Sequence, residues 1–501
     1  MFGIYLKIAR RNVVRQFRDY SVYFLTLALA SCLLYSFTAS GDYLLALDLT
    51  EQQRGIYGAT SSVMQAFSVF SVLVFLFLVV YANRFILRRR SREFALYGLL
   101  GLSSSRTMRI LIYESCMVGL VALVVGVGAG VLLSPVFGGV AAFVFAVPWS
   151  FVITCSADAA LWTAGCFIVI MAGALLLGAR DLRKRTLLQL MTAESTPEKP
   201  RGASALTLSL QGILACILLV LVWGMCIVQP ITFVVYILPL GIAAVFATGM
   251  LFRIWVVTRS RRAARNPKRY LRGLRCFVIR QVESKVSMSA NAMGCVCVLL
   301  AVAICMIVAG FAFSVGMRGG EVKIESAFAL APIGYTGIFY GITFLVAAAA
   351  VLALQQMAEG ADSIPRYRIL SKLGCEPALM RRAVWQQTGL YFGAPLVFAL
   401  VHCIFGLALI GFLAFVLGSS SFVLICTATI SGTIVLLALY YVITSRVCAP
   451  WKPAAVPICG SVAGTIVLLA LYYVITSRVC EKMLLPQVDR SDLQKELVPA
   501  E

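Results

Sequence analysis

The long apolar stretches of this chain constrain its fold more than any other feature. A helix needs about 20 apolar residues to cross the hydrocarbon layer of a membrane, and ten stretches of that kind occur along the 501 residues. They lie near residues 20–40, 61–83, 110–133, 157–179, 206–228, 231–252, 289–314, 333–356, 387–417 and 422–444. Only 13% of the residues are charged, whereas soluble proteins keep roughly a quarter charged. The sequence therefore predicts an all-α polytopic membrane protein and excludes large soluble enzyme folds.

Basic residues are concentrated on one predicted side of the membrane. Five segments between the apolar stretches hold 34 of the 43 lysines and arginines, namely 1–19, 84–109, 180–205, 253–288 and 357–386. Loops rich in Lys and Arg face the cytoplasm, so we expect a multi-pass membrane protein with a cytoplasmic N-terminus. This placement explains the net charge of +22 as a topology signal, and no nucleic-acid partner is expected.

The N-terminal segment 1–19 has the pattern of an amphipathic helix. Apolar residues recur with helical spacing on one face, and basic residues recur on the opposite face. The apolar positions are Phe2, Leu6, Ala9, Val13 and Phe17, and the basic positions are Lys7, Arg11, Arg15 and Arg18. Such a helix lies in the membrane interface with its basic face toward anionic headgroups. An ordinary basic flank of the first span is the alternative interpretation.

An eleventh apolar stretch near 454–477 belongs to a sequence duplication. Residues 432–448 recur without change at 464–480. Divergent structural repeats do not stay identical over such a length, so a recent tandem duplication or an error in the gene model is the favoured explanation. A functional eleventh span, which would place residues 481–501 outside, is the alternative.

A second, divergent repeat relates the sequences of two of the basic loops. An offset of 273 residues places Phe94 on Tyr367, Leu96 on Ile369, Leu100 on Leu373 and Gly101 on Gly374. The same offset places Glu114 on Gln387 at the entry to the following span. Each loop has a basic-apolar helix that ends at a glycine suited to a helix C-cap. Two such elements could seat two copies of one soluble partner, or they could be two juxtamembrane helices without that role.

The first loop resembles the signature of FtsX-like permeases, in which a basic run precedes a Glu-apolar-Leu-x-x-x-Gly pattern. Further segments resemble the Bce-type branch of that family, the bacitracin- and peptide-resistance permeases. They include Arg272-Gly273-Leu274, residues 277–281 with Ser284-Lys285, residues 352–356 with Asp362, Tyr391-Phe392 with Pro395-Leu396, His402, and residues 440–444. The resemblance covers most of residues 1–448. Bce-type permeases usually carry a large external domain between spans seven and eight, but only residues 315–332 occupy that place here.

The resemblance implies a ten-span permease subunit of an ABC transporter in a bacterial plasma membrane, with two FtsX-like units and a separate cytoplasmic ATPase dimer. The residues expected to couple the chain to that ATPase are Arg92, Glu93, Phe94, Tyr97, Gly101, Arg366, Tyr367, Leu370 and Gly374. None of the lysines follows a glycine, as a P-loop lysine would. We therefore expect ATP to be bound by the partner subunit and no cofactor to be bound by this chain. An amphipathic or lipid-linked substrate at the outer leaflet, such as an antimicrobial compound, fits this family, and membrane lipid is an expected partner.

Polar residues within the predicted spans are further candidate sites, because charges at membrane depth are costly. Glu114 and Gln387 lie at span entries, and His402, the single histidine, lies near the middle of span nine. A lone buried histidine more often satisfies neighbouring polar groups than it binds substrate. Two other functions remain open at this stage: a sensory component that works with a membrane histidine kinase, and a secondary transporter. The latter needs polar groups converging at broken helices, and the spans offer few.

The predicted organisation has eight segments. They are a cytoplasmic amphipathic helix (1–19), the first span and external loop (20–60), the first FtsX-like unit (61–180), central spans five and six with basic loops (181–288), span seven with a short external loop (289–332), the second FtsX-like unit (333–448), the duplicated apolar segment (449–480) and a polar tail (481–501).

Overall fold

The computed structural model of the chain is a bundle of helices, with no strand in the part that it describes. The described residues are 2–15, 17–45, 72, 75–80, 82–84, 86–87, 90–145, 153, 155–183, 204–314, 334–348, 351–352 and 366–416.

Eleven helices carry labels here. They are α1 (Phe2–Arg15), α2 (Phe17–Leu45), α3 (Ser91–Leu99), α4 (Ser104–Phe145), α5 (Ala157–Arg183), α6 (Ala205–Val228), α7 (Pro230–Val235), α8 (Ile237–Ala264), α9 (Pro267–Tyr270), α10 (Arg275–Ser314) and α11 (Pro377–Val416). Two shorter apolar helices span Phe75–Arg84 and Gly334–Ala348, and a short helix over residues 366–372 precedes α11.

Within the described residues, six helices are long and apolar enough to cross a membrane. The qualifying stretches are Ser105–Pro135, Ala157–Arg180, Leu206–Val228, Pro239–Ala264, Ala290–Phe313 and Pro377–Phe412. The apolar part of α2, Thr26–Ala39, and the helices Phe75–Arg84 and Gly334–Ala348 are shorter. The expected stretches 422–444 and 454–477 lie outside the described residues, so the count of ten spans stays a prediction.

The helices extend beyond the apolar stretches from which they were predicted. Helix α11 begins at Pro377, ten residues before the expected span 387–417, and α10 begins at Arg275, inside a segment expected to be a loop. Backbone hydrogen bonding continues through polar residues that hydropathy cannot detect. The stretch 231–252 was expected to be one helix, but α7 and α8 are separated by a turn at Tyr236.

Contacts between the helices place the starts of α2 and α10 at one end of the bundle, with the early part of α4 beside that of α2 and the early part of α11 beside that of α10. The ring of Phe37, late in α2, lies 4.7 Å from that of Phe339, and Gly310, late in α10, closely approaches the backbone of Ile338. The later parts of both helices therefore meet the same short helix, and their first residues lie at the opposite end. We call that opposite end the basic end, since arginines such as Arg90 and Arg275 lie there.

Helix α2 packs closely against α4 because two glycines of α4 remove side chains from the contact. A Cβ atom at Gly126 would lie 2.4 Å from the carbonyl oxygen of Ala28, and one at Gly130 would lie 3.0 Å from that of Cys32. Small residues spaced by four let helix backbones approach closely inside a membrane. The buried Ser31 hydroxyl also donates to the carbonyl of Ala122 on α4, at 3.2 Å.

Candidate coupling site

The first basic loop ends in a compact helix cap at Gly101. The Gly101 amide donates to the carbonyl of Gly98, and the Leu102 amide donates to the carbonyl of Tyr97. This pair of bonds is a Schellman cap, which requires a left-handed residue at its glycine position. Gly101 supplies that conformation with φ of 85°, and α4 begins three residues later at Ser104.

The second loop makes the same cap 273 residues later. The Gly374 amide donates to the carbonyl of Ser371, the Cys375 amide donates to that of Leu370, and φ at Gly374 is 78°. The following helix also starts in the same way in both loops. The carbonyl of Ser103 accepts from the amides three and four residues on, as the carbonyl of Glu376 does in the second loop. The sequence offset therefore corresponds to a repeated backbone geometry.

Both caps expose apolar side chains at matching positions. Leu96 and Leu100 are 54% and 72% exposed, and their counterparts Ile369 and Leu373 are 59% and 77% exposed. The opposite face of α3 is anchored instead, since Phe94 is buried among residues of α4 and the end of the preceding helix. Exposed apolar groups at an otherwise basic end mark a surface suited to a protein partner.

Beneath the first cap lies a buried polar cluster centred on Arg90 and Glu114, which we call the Arg90 cluster. Both side chains are almost fully buried, and the Arg90 guanidinium makes a two-point ion pair with the Glu114 carboxylate. Arg90 also contacts the Tyr20 hydroxyl, which itself donates to Glu114 at 2.6 Å. Asn12 donates to the other carboxylate oxygen at 2.7 Å. The cluster therefore ties α1, α2 and α4 to the residue that precedes α3.

The electrostatics of the cluster keep Arg90 charged. Burial alone would lower the pKa of this guanidinium, but the hydrogen bond and charge of Glu114, with Tyr20 and Glu93, raise it above its ordinary value. The Arg90 guanidinium also lies 5.3 Å from the ring centres of both Tyr20 and Phe94. A permanently charged group in this position makes the buried pair a fixed link between the loop and α4.

The second loop has a neutral counterpart of this link. The Tyr367 hydroxyl donates to Gln387 at 3.4 Å, and Gln387 occupies the position that corresponds to Glu114. Gln387 is 7% exposed, and the Tyr367 ring meets the Phe277 ring edge-on at 5.4 Å. Both loops are therefore joined to the following long helix by a side chain at equivalent depth, with an ion pair in one and an amide in the other.

The remaining predicted coupling residues divide between this cluster and the surface. Arg92 is exposed, Tyr97 is half-buried and accepts from Asn12, and Glu93 pairs with Arg90 at 2.9 Å. Arg366 and Leu370 are half-buried in the second loop. Sequence reasoning missed Arg90, Tyr20 and Asn12, because Arg90 is one of three consecutive arginines and its partners lie far away in the sequence. In the sequence, the position of Glu114 within an apolar stretch was the one signal that a cation should be buried beside it.

His402 lies apart from both caps, in a contact among three helices. Its Nδ1 atom accepts from Trp223 Nε1 of α6 at 3.2 Å, and its Nε2 atom lies 2.8 Å from the Thr248 hydroxyl of α8. The ring of Trp223 also stacks on that of Phe405 at 4.2 Å. Both imidazole nitrogens are therefore engaged in holding α6, α8 and α11 together.

Comparison with known proteins relates one segment of this arrangement to a known family. Residues 66–187, which include α3, the first cap and α4, match the family model described as FtsX-like permease C-terminal. The segment is an FtsX-like permease domain. Together with the apolar helices of the described residues, this domain indicates a multi-pass membrane protein.

Three curated permeases are similar to parts of this chain. The uncharacterized ABC transporter permease YvcS of Bacillus subtilis is 28% identical over 195 residues, which cover 38% of this chain and 29% of YvcS. The bacitracin export permease protein BceB of the same species is 30% identical over 126 residues, 25% of this chain and 18% of that protein. BceB of Halalkalibacterium halodurans is 26% identical over 188 residues, which cover 38% of this chain and 28% of that protein. The matched region spans less than a third of the length of each relative.

Proposed function

We propose that this chain is the membrane subunit of an ABC transporter complex and couples ATP hydrolysis by a separate ATPase dimer to movement or release of an amphipathic or lipid-linked substrate. The observation that carries the proposal is the pair of equivalent caps, each with exposed apolar side chains at the same two positions. A dimeric partner with two-fold symmetry presents the same surface twice. Two matching elements on one chain suit such a partner.

The proposal includes an orientation and an architecture. The basic end faces the cytoplasm, because cytoplasmic loops carry the excess of lysine and arginine, and the N-terminus lies there as well. The chain crosses the membrane ten times and contains two FtsX-like units. The match to the family model supports the first unit, and the repeated cap geometry supports the second.

Movement of the ATPase would reach the spans through the links beneath the caps. In the first unit, Arg90 at the start of α3 is paired with Glu114 on α4, so a displacement of the loop carries α4 with it. In the second unit, Tyr367 and Gln387 make the corresponding contact. Each cap is also followed directly by its long helix, with only two residues between Gly101 and α4.

The substrate class rests on the relatives. Two of them are named bacitracin export permeases, and an antimicrobial compound that is amphipathic or bound to a lipid fits a transporter whose binding surfaces are membrane helices. The described spans bury few charged groups, with Glu114 already paired. This makes the spans better suited to rigid movement against lipid than to a polar transport path.

The proposal predicts that both caps touch the same ATPase. A photo-crosslinking amino acid placed at Leu100, or separately at Leu373, is expected to form an adduct with an ABC ATPase when the complex is purified from its native membrane. The adduct is identified by mass spectrometry of the cross-linked peptides. Native mass spectrometry is expected to show two ATPase subunits for each copy of this chain.

Leu132 provides the matched control, because it is 70% exposed on the same α4 but lies far along the helix from the cap. The same amino acid at this position is expected to react with lipid and not with the ATPase. Absence of adducts at Leu100 and Leu373 while the ATPase co-purifies would contradict the assignment of the caps. Purification of the chain without any ATPase would contradict the function.

A further inference from the structure

A cavity of about 1090 Å³ opens between α8, α10 and α11 at the basic end. Its deeper wall is apolar and includes Leu251, Ile254, Leu390 and Phe398. These residues lie within stretches apolar enough to span a membrane. The volume is slightly above the roughly 300–1,000 Å³ typical of sites that hold drug-sized molecules.

The rim of the cavity is strongly basic. Arg259 and Arg262 of α8 and Arg275 of α10 line it, and no aspartate or glutamate is among its lining residues. Within the described part of the chain, no carboxylate lies within ion-pair distance of these three arginines. The nearby Glu283 is engaged elsewhere, since it accepts from Ser260 at 2.6 Å and pairs with Arg280 at 3.2 Å.

Aromatic side chains mark the boundary between the basic rim and the apolar interior. The Arg259 guanidinium lies 5.4 Å from the centre of the Trp255 ring, and that ring meets the Phe398 ring edge-on at 6.3 Å. Tryptophan prefers the level of the lipid headgroups, with its apolar body toward the acyl chains. The cavity therefore changes from cationic to apolar at the depth where a lipid changes from headgroup to chain.

We propose that this cavity is a binding site for an anionic phospholipid from the leaflet at the basic end, with its phosphate at Arg259, Arg262 and Arg275 and the upper part of its acyl chains against Trp255 and Phe398. Basic pockets between membrane helices bind acidic lipid headgroups in this way. A zwitterionic lipid lacks the net negative charge that these three arginines, which have no carboxylate partner in the described part of the chain, would select. The site does not depend on coupling to an ATPase.

The test uses the full chain in lipid nanodiscs and the fluorescence of Trp255. Phosphatidylglycerol with brominated acyl chains is titrated into a phosphatidylcholine background, because bromine quenches a tryptophan with which it is in contact. The chain has six tryptophans, so the signal of Trp255 is the part of the quenching that is lost in Trp255→Phe. We expect this part to saturate at a low fraction of phosphatidylglycerol and to be absent with brominated phosphatidylcholine at the same fraction.

Charge-neutral variants separate the site from the general charge of this end. The double variant Arg262→Gln with Arg275→Gln is expected to weaken phosphatidylglycerol binding about 25-fold, at about fivefold for each arginine near a membrane surface. The control is Arg265→Gln with Lys268→Gln, which removes the same charge from exposed residues that do not line the cavity. The control is expected to bind within about twofold of the unchanged chain.

Three outcomes would overturn the proposal. Equal quenching by the two brominated lipids would show that the cavity does not select an anionic headgroup. Equal weakening in the two double variants would assign the effect to surface charge. Competition by inorganic phosphate or glycerol phosphate as effective as that of unbrominated phosphatidylglycerol would identify a site for the phosphate group alone, whereas failure of both to compete supports the lipid.

Discussion

Replacing Gly126 with alanine is expected to destabilise the bundle by about 3 kcal/mol or more, at the upper end of what overpacking a core costs. The added Cβ atom would lie 1.8 Å from the Ser31 hydroxyl oxygen and 2.4 Å from the carbonyl oxygen of Ala28. The first of these atoms can rotate away, but the second is backbone of α2. Relief therefore requires α2 and α4 to separate along their whole contact, which contains buried residues on both helices. Thermal unfolding of the purified protein in detergent measures the loss.

Gly128 is the matched control for this substitution, because it lies on the same helix two residues away. A Cβ atom there would meet nothing within 4 Å, and alanine has a higher helix propensity than glycine. Gly128→Ala is therefore expected to leave the unfolding temperature unchanged or slightly raised. Equal stability of the two variants would show that α2 and α4 do not approach as closely as described.

Replacing Arg90 with methionine is expected to destabilise the protein by about 3–5 kcal/mol, the usual cost of leaving one member of a buried ion pair without its partner. Among the described residues, Asn12 and Tyr20 would then remain as the donors to the Glu114 carboxylate. The reciprocal variant Glu114→Gln is expected to be similarly harmful, because it removes the buried charge partner of the Arg90 guanidinium and leaves the partly exposed Glu93 to compensate it. Unfolding by heat, with the two single variants compared under one condition, gives the size of each effect.

The double variant and a surface control make this prediction specific. Arg90→Met combined with Glu114→Gln removes both charges, so it is expected to be less harmful than the sum of the single changes, by at least about 2 kcal/mol. Arg92→Met removes the same charge two residues away at an exposed position and is expected to change stability by no more than about 0.5 kcal/mol. Additive single effects would show that the two side chains do not interact.

The sequence was informative where a single local property decides the structure. Apolar length predicted the helical bundle, and the glycines at 101 and 374 predicted both caps, because a left-handed cap position strongly prefers glycine. The offset of 273 residues also placed Gln387 at the depth of Glu114, where the structure has it in contact with Tyr367.

The rest depends on contacts between residues far apart in the chain. The partners of Glu114 come from positions 12, 20 and 90, and no periodicity within one helix specifies that meeting. The basic segment 253–288 was interpreted as a topology signal. In the structure, arginines of this segment line one wall of a cavity whose other wall belongs to α11. Hydropathy also predicted helices that are too short. It measures the transfer of side chains into an apolar phase and not the continuity of the backbone hydrogen bonds.

The two long helices behind the caps differ in the distance from the cap to the residue at which each helix can bend. Each is continuous from the cap into the apolar core, and each contains one proline in its interior, Pro135 in α4 and Pro395 in α11. A proline removes one backbone hydrogen bond and is where a helix bends most easily. At about 1.5 Å per residue, the pivot lies roughly 47 Å from the start of α4 but only about 27 Å from the start of α11. Equal displacements of the two caps would therefore tilt α4 and α11 through different angles. A symmetric movement at the basic end would thus produce an asymmetric movement of the helices at the opposite end.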